Sequence, residues 1–177
     1  MKFKYCPLCG EKLIEKYSWD EGGVPYCKRH NIMYFDTPKP CIVVGVLKED
    51  HVLLLKQSYI FKNSKVLLSG YVSSGETVEE AVHREVKEEA GINIRDLKYL
   101  GSDYLESKDI VMITFMATYR DGILNKSEEV EWIDWIPIKE AIDHMEEDEI
   151  GKKIIKKNNE ELLKQLYMNK FKILRRG

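Results

Sequence analysis

"GYVSSGETVEEAVHREVKEEAGI", residues 70–92, holds six glutamates inside a pattern that otherwise reads as an amphipathic helix. Thr77 with Glu80 has the form of a capping box, which predicts a helix starting at about Thr77. Gly91 supplies the glycine on which helices commonly end. Wound at roughly 100° per residue, Val78, Ala81, Val82 and Val86 share one stripe, with Glu85 and Glu89 in its middle and Glu88 on its border. Glu80, His83 and Lys87 point away, as a wet face should. Solvation accounts for Glu79 and Glu80 but not for Glu85 and Glu89, because an ionised carboxylate on a buried face is costly unless paired or metal-bound. One arginine, Arg84, cannot satisfy three carboxylates. A hard divalent cation such as Mg²⁺ or Mn²⁺, which prefers oxygen ligands, can.

Around this stretch, "CIVVGVL" (41–47), "HVLLLKQ" (51–57) and "KVLLSG" (65–70) read as strands, the last running into the acidic helix. "LKYLGSDYL" (97–105) and "DIVMITFMATY" (109–119) add two more, rich in β-branched and aromatic residues. "EWIDWIPIKEAIDHM" (131–145) follows, with Pro137 suited to the first turn of a helix. Strands interleaved with helices predict an α/β fold with a mixed sheet. Cys41, inside an apolar strand, reads as core.

The chain of 177 residues has the size of one domain with a small appendage, and its net charge of −2 gives no global pull toward nucleic acid or anionic membrane. That average hides an asymmetry. Residues 128–149 carry ten acidic residues against one Lys, and residues 151–177 carry nine Lys or Arg against two Glu. The last block, 150–177, has Ile155, Leu162, Leu163, Leu166, Tyr167, Phe171 and Leu174 at near-helical spacing. It reads as a basic helix docking on its own domain or on a dimer mate, with nucleic-acid contact the lesser reading. No run approaches the roughly 18 apolar residues of a membrane span, and the N-terminus "MKFKYCPLCG" has no apolar signal region. The expectation is a soluble cytoplasmic protein, with a homodimer the common oligomeric case.

Residues 1–37 form a separate block, bounded by Thr37-Pro38-Lys39-Pro40, where the prolines favour an extended connection. Cys6-x2-Cys9 and Cys27-x2-His30 have the two-knuckle spacing of a zinc ribbon, predicting a tetrahedral Cys3His site for structural Zn²⁺. Gly10 and Asn31 follow the knuckles, and both types tolerate the left-handed turn such knuckles need. So short a block could hardly fold on an apolar core alone.

The acidic stretch resembles the Nudix box, G-x5-E-x7-R-E-U-x-E-E-x-G-U with U aliphatic, through Gly70, Glu76, Arg84, Glu85, Val86, Glu88, Glu89, Gly91 and Ile92. A zinc ribbon ahead of such a box is similar to the NADH pyrophosphatase group of that family. The resemblance implies a Nudix α/β/α sandwich over 38–149, preceded by the ribbon. It also implies a divalent-metal-dependent pyrophosphohydrolase acting on a nucleoside diphosphate linked to another moiety, foremost a dinucleotide such as NAD(H) or ADP-ribose. Glu85, Glu88, Glu89 and the Gly70 carbonyl would hold Mg²⁺ or Mn²⁺. Arg84 would orient the helix through an ion pair with Glu76. "SEEVEWIDW" (127–135) resembles the family stretch that contributes a further glutamate, making Glu129, then Glu128, the candidate for general base or extra ligand.

That group also carries S-Q-P-W-P-F-P-x-S after the box. Here the equivalent residues 102–115, "SDYLESKDIVMITF", keep the length without its Trp, Phe and prolines. Tyr59, Phe61, Tyr71 and Tyr104 are candidates to stack a base. Two other classes compete with the enzyme: a nucleotide-sensing binding protein using ribbon and basic tail on nucleic acid, and a zinc-ribbon scaffold with an incidental acidic helix.

Overall fold

The computed structural model describes residues 3–57 and 61–157. Tyr59 and the tail positions from Leu162 to Leu174 lie outside them. The chain divides into two compact units, Met1–Pro38 and Lys39–Gly177.

The first unit is a three-stranded antiparallel sheet of β1 (Ile14–Ser18), β2 (Gly22–Cys27) and β3 (Ile32–Met33). Among its described residues, the buried apolar side chains are Cys6, Val24 and Cys27. A core of one valine and two thiols cannot offset the chain entropy of folding, which is of order 1–2 kcal/mol per residue.

The second unit is built on a six-stranded mixed sheet. Its strands are β4 (Lys39–Lys48), β5 (His51–Lys56), β6 (Leu68–Tyr71), β7 (Ile92–Leu105), β8 (Ile110–Gly122) and β9 (Trp132–Pro137). The order is β7-β8-β4-β5-β9, with β4 and β8 parallel and the other pairings antiparallel. The far edge of β4 is shared: Cys41–Val44 pair with β6 and Leu47–Lys48 with β5. β4 is central and apolar on both faces, as its unbroken hydrophobic run requires. Ile42, Val44 and Val46 pack toward Val82 and Val86 of α1 (Val78–Ala90). Val43 joins the opposite core with Ala141 of α2 (Ile138–Ala141) and with Ile154 and Ile155 of the helical residues 149–157. Helices on both faces of the sheet make an α/β/α sandwich, as the resemblance implied. The helical start of the last block, through Ile155, thus belongs to the second core.

Three local departures have physical causes. The strand expected at 65–70 begins only at Leu68, because the Lys65 N–H donates to the His144 carbonyl (2.8 Å) and Val66 is held by Leu55. Pro137 closes β9 and caps α2, which runs only four residues before a 3₁₀ turn at Ile142–His144. β7 starts directly after α1, at Ile92, and bends through register shifts at Asn93/Ile94, Arg95/Lys98 and Tyr99/Gly101. No helix among the described residues is long and apolar enough to cross a membrane.

Candidate active site

α1 is fixed at both ends by its own sequence. The Thr77 hydroxyl accepts from the Glu80 N–H (3.2 Å) while the Glu80 carboxylate accepts from the Thr77 N–H (2.8 Å), a complete capping box. Gly91 ends the helix at φ 72°, its N–H returning to the Lys87 carbonyl. Between the caps, Ala81, Val82, Val86, Glu89 and Ala90 are buried, and Glu80, His83 and Lys87 are exposed.

Arg84 organises the acidic face. Its guanidinium donates through Nε and NH2 to both oxygens of Glu76 (2.9 and 2.7 Å), through NH1 to Glu85 (2.8 Å) and Glu88 (3.0 Å), and through NH2 to the Tyr71 carbonyl (3.0 Å). The forked bond from Arg84, with the Ser73 N–H, pulls the Glu76 carboxyl down to about 2. Arg84 therefore acts on the carboxylates and on the loop before the helix.

Glu85 lies against Gly70 of β6. A Cβ on Gly70 would fall 2.0 Å from both the Cδ and an oxygen of Glu85, so this approach is open only to glycine. Burial raises the Glu85 carboxyl despite the arginine beside it. Gly70→Ala must displace Glu85. It is expected to weaken Mn²⁺ binding at least about tenfold with the fold retained; a titration matching the unmodified protein would contradict this.

Glu89 is the most enclosed of the set, at 6% exposure. Its Oε1 accepts from the Gln57 amide (2.8 Å), and its Oε2 is buried with no partner among the described residues. Burial first, then the charges of Glu85, Glu129 and Glu88, push its carboxyl up to about 7 against the opposing hydrogen bond from Gln57. The Ser127 N–H donates to the Glu89 main-chain carbonyl (3.2 Å), tying the loop that carries Glu128 and Glu129 to the end of α1. Both glutamates are exposed in that loop, and the charge of Glu129 is felt at Glu89.

The raised Glu89 carboxyl has a signed consequence for stability. The folded protein holds this proton more tightly than the unfolded chain, whose glutamates titrate near 4.5. The stabilisation is full below about 4.5 and is lost as pH rises through about 7. Zinc-loaded protein without Mg²⁺ or Mn²⁺ is expected to lose on the order of 3 kcal/mol between pH 5 and pH 8 from this group. Adding Mn²⁺ at pH 8 should restore it, as read by thermal melts.

In the first unit, all four candidate ligand atoms of Cys6, Cys9, Cys27 and His30 lie within 4.8 Å of one another. The Cys9 and Cys27 sulfurs are 3.8 Å apart, and His30 Nδ1 is 3.5 Å from both Cys6 and Cys27. Tetrahedral Zn²⁺ with sulfur at about 2.3 Å and nitrogen at about 2.0–2.1 Å spaces its ligands about 3.8 Å (S–S) and about 3.5 Å (S–N) apart, so this donor set fits the ion. Gly10 (φ 74°) and Asn31 (φ 55°) both take the left-handed turn. Burial opposes ionisation of Cys6, but hydrogen bonds from the Tyr34 hydroxyl (3.2 Å) and from the Leu8 and Cys9 N–H groups outweigh it and hold the thiol down to about 5. Cys41 is core, its thiol pushed up to about 11 by burial and by the nearby Glu85 and Glu89.

The sequence profile of the NUDIX domain matches residues 37–157. The chain belongs to the NUDIX domain family. It is 35% identical over 134 residues to the NAD-capped RNA hydrolase NudC of Photorhabdus laumondii, an alignment covering 75% of this chain and 51% of that protein. It is 34% identical over 120 residues to NudC of Escherichia coli K12, covering 67% and 45%. The chain thus spans about half the length of these relatives. A NUDIX hydrolase from Nitrosomonas europaea superposes with a TM-score of 0.65 at 21% identity, covering 81% of this chain and 83% of that one, which shows the shared fold.

Two features of this NUDIX domain were not anticipated from sequence. Gln57, which follows Lys56 just past the apolar run Val52–Leu55, is buried against Glu89. A cavity of about 390 Å³ opens on the sheet, walled by Val43, Leu67, Leu105 and Met112 with Ser69 and Asp148. Ser69 and Gly70 are neighbours on β6 and face opposite sides of the sheet, so the cavity, with Val43 and Leu67, lies on the face away from α1 and Glu85. Phe61 also lines this cavity, whereas Tyr71 and Tyr104 are more than half exposed, the Tyr104 hydroxyl donating to Asp109 (2.8 Å).

Proposed function

We propose that this protein is a divalent-metal-dependent pyrophosphohydrolase that cleaves a nucleoside diphosphate linked to another moiety, foremost a dinucleotide such as NAD(H) or ADP-ribose. The observation that carries the reading is Glu89 Oε2, a carboxylate oxygen sealed from water and without a hydrogen-bond partner among the described residues, beside the half-buried Glu85. Such a group is costly unless a cation sits against it.

In this reading, Glu85, Glu88, Glu89 and the Gly70 carbonyl hold Mg²⁺ or Mn²⁺, an all-oxygen donor set that suits either ion. When bound, such ions offset the charge of a diphosphate and make an attacking water more acidic. Arg84 keeps Glu85 and Glu88 turned to one side while anchoring the loop through Glu76. Glu129 is the candidate to take the proton of the attacking water, its exposure leaving it free to move onto substrate. Hydrolysis then needs little covalent work from the protein, since displacement at phosphorus depends on positioning and charge.

The cavity lies on the sheet face away from Glu85 and is separate from the acidic site. Its wall includes Leu105, Ser107, Lys108 and Met112, which lie in the stretch that departs from the NADH-type signature. The absence of that signature's Trp and prolines from residues 102–115 supports a nucleotide specificity differing from that group's. Residues 1–37 act as a zinc ribbon in this reading, in a reducing cytoplasmic setting where Cys6, Cys9 and Cys27 stay free of disulfides and bind the ion as thiolates.

The relatives' name brings NAD-capped RNA into consideration beside the small molecules expected from sequence. The test is a screen of NADH, NAD⁺, ADP-ribose, FAD, nucleoside triphosphates and NAD-capped RNA with Mg²⁺ or Mn²⁺, products identified. Ion-dependent cleavage of a diphosphate is expected; no cleavage across the panel overturns the reading.

A further inference from the structure

Gln57 sits one residue past β5, following the buried run Val52–Leu55, and is itself 1% exposed. An apolar side chain there would extend the core at no electrostatic cost. The amide instead makes a single side-chain hydrogen bond, Nε2 to Glu89 Oε1, and its own Oε1 is buried without a partner. With Glu89 ionised, turning the amide would set its oxygen against a carboxylate, so the amide nitrogen faces Glu89. The Gln57–Glu89 pair therefore ends in two orphaned oxygens, Gln57 Oε1 and Glu89 Oε2. A buried acceptor without a partner is costly, so each of the two needs a donor or a cation.

We propose that Gln57 is a further member of the cation site, its Nε2 fixing Glu89 so that Oε2 meets the ion and its Oε1 directed to the ion or its hydration water. This rests on the cation reading of Glu89 given above. Amide oxygens are ordinary partners of hard divalent cations and of their bound water. Gln57 is thus a positioning residue with an oxygen of its own in the site.

The role of that oxygen separates from simple donation to Glu89. Gln57→Met keeps the length and removes both functions. Gln57→Glu removes the donor and keeps an oxygen. Zinc-loaded full-length variants are titrated with Mn²⁺ at pH 8, free ion being read by electron paramagnetic resonance and folding by circular dichroism and zinc content. The expected result is affinity weakened about tenfold or more in Gln57→Met and within about threefold of the unmodified protein in Gln57→Glu.

Unchanged affinity in Gln57→Met overturns the proposal. Equal weakening in both variants also overturns it, since the amide then serves only as a donor to Glu89. Should Gln57→Met fail to fold, Gln57→Glu alone decides: retained affinity supports the role and lost affinity refutes it. If the unmodified protein binds no Mn²⁺, the cation reading of Glu89 fails and takes this inference with it.

Discussion

Glu89→Gln is expected to lower turnover of the diphosphate substrate on the order of 10²–10⁴-fold while leaving the protein folded and, at pH 8 without Mg²⁺ or Mn²⁺, more stable than the parent. The two halves share one cause. Glu89 is buried, its Oε2 has no partner among the described residues, and burial raises its carboxyl to about 7, so without a cation its charge is a burden on the fold. A neutral amide of the same size removes that burden and with it a ligand. Loss of activity with a gain in melting temperature marks a residue retained for function at the expense of stability. Glu89→Gln protein that turns over normally with Mn²⁺ would remove Glu89 from the site. One that melts lower than the parent at pH 8 without these ions would show that its charge is already compensated within the fold.

The second large effect is zinc removal. The first unit buries only Cys6, Val24 and Cys27 among its described apolar side chains, and its three strands offer too little core to hold them. Structural zinc contributes about 10–16 kcal/mol in small zinc modules, far more than such a core supplies. Stripping zinc, or changing Cys6 or Cys27 to Ser, is expected to unfold residues 1–38 cooperatively. The second unit, with its own two-sided core, should stay folded and should still cleave substrate when Mg²⁺ is supplied. Amide hydrogen exchange resolves the two units. Protection of the first unit surviving zinc removal would contradict the structural role, and loss of protection in the second would contradict its independence.

The parts of the molecule legible in sequence were those set by local rules. Thr77, Glu80 and Gly91 bound α1 through short-range hydrogen bonds, so its limits could be read directly. The apolar stripe through Val82 and Val86 placed Glu85 and Glu89 inward because a helix fixes the angle between residues. The knuckle turns at Gly10 and Asn31 were legible for the same reason, a local backbone demand met by residue types that tolerate it.

What depended on tertiary partners was not legible. Val66 looks like any strand residue, yet the neighbouring Lys65 N–H is taken by the His144 carbonyl, far along the chain. Gln57 is 32 residues from Glu89, and only the tertiary placement of the chain just past β5 shows that the two meet. Its one sequence signal, an amide at the end of an apolar run, is shared with many strand ends that simply reach solvent. The cavity is likewise assembled from β4, β6, the β7–β8 hairpin and residues 147–150, none of which announces a ligand on its own.

One map tests the cation site most directly. Crystals of the zinc-loaded protein soaked in millimolar Mn²⁺, measured at the manganese absorption edge, should show anomalous density against Glu89 Oε2 and flanked by Glu85 and Glu88. Carboxylates left without an ion, with manganese absent from the inner face of α1, would contradict the claim that these charges are there to hold a cation.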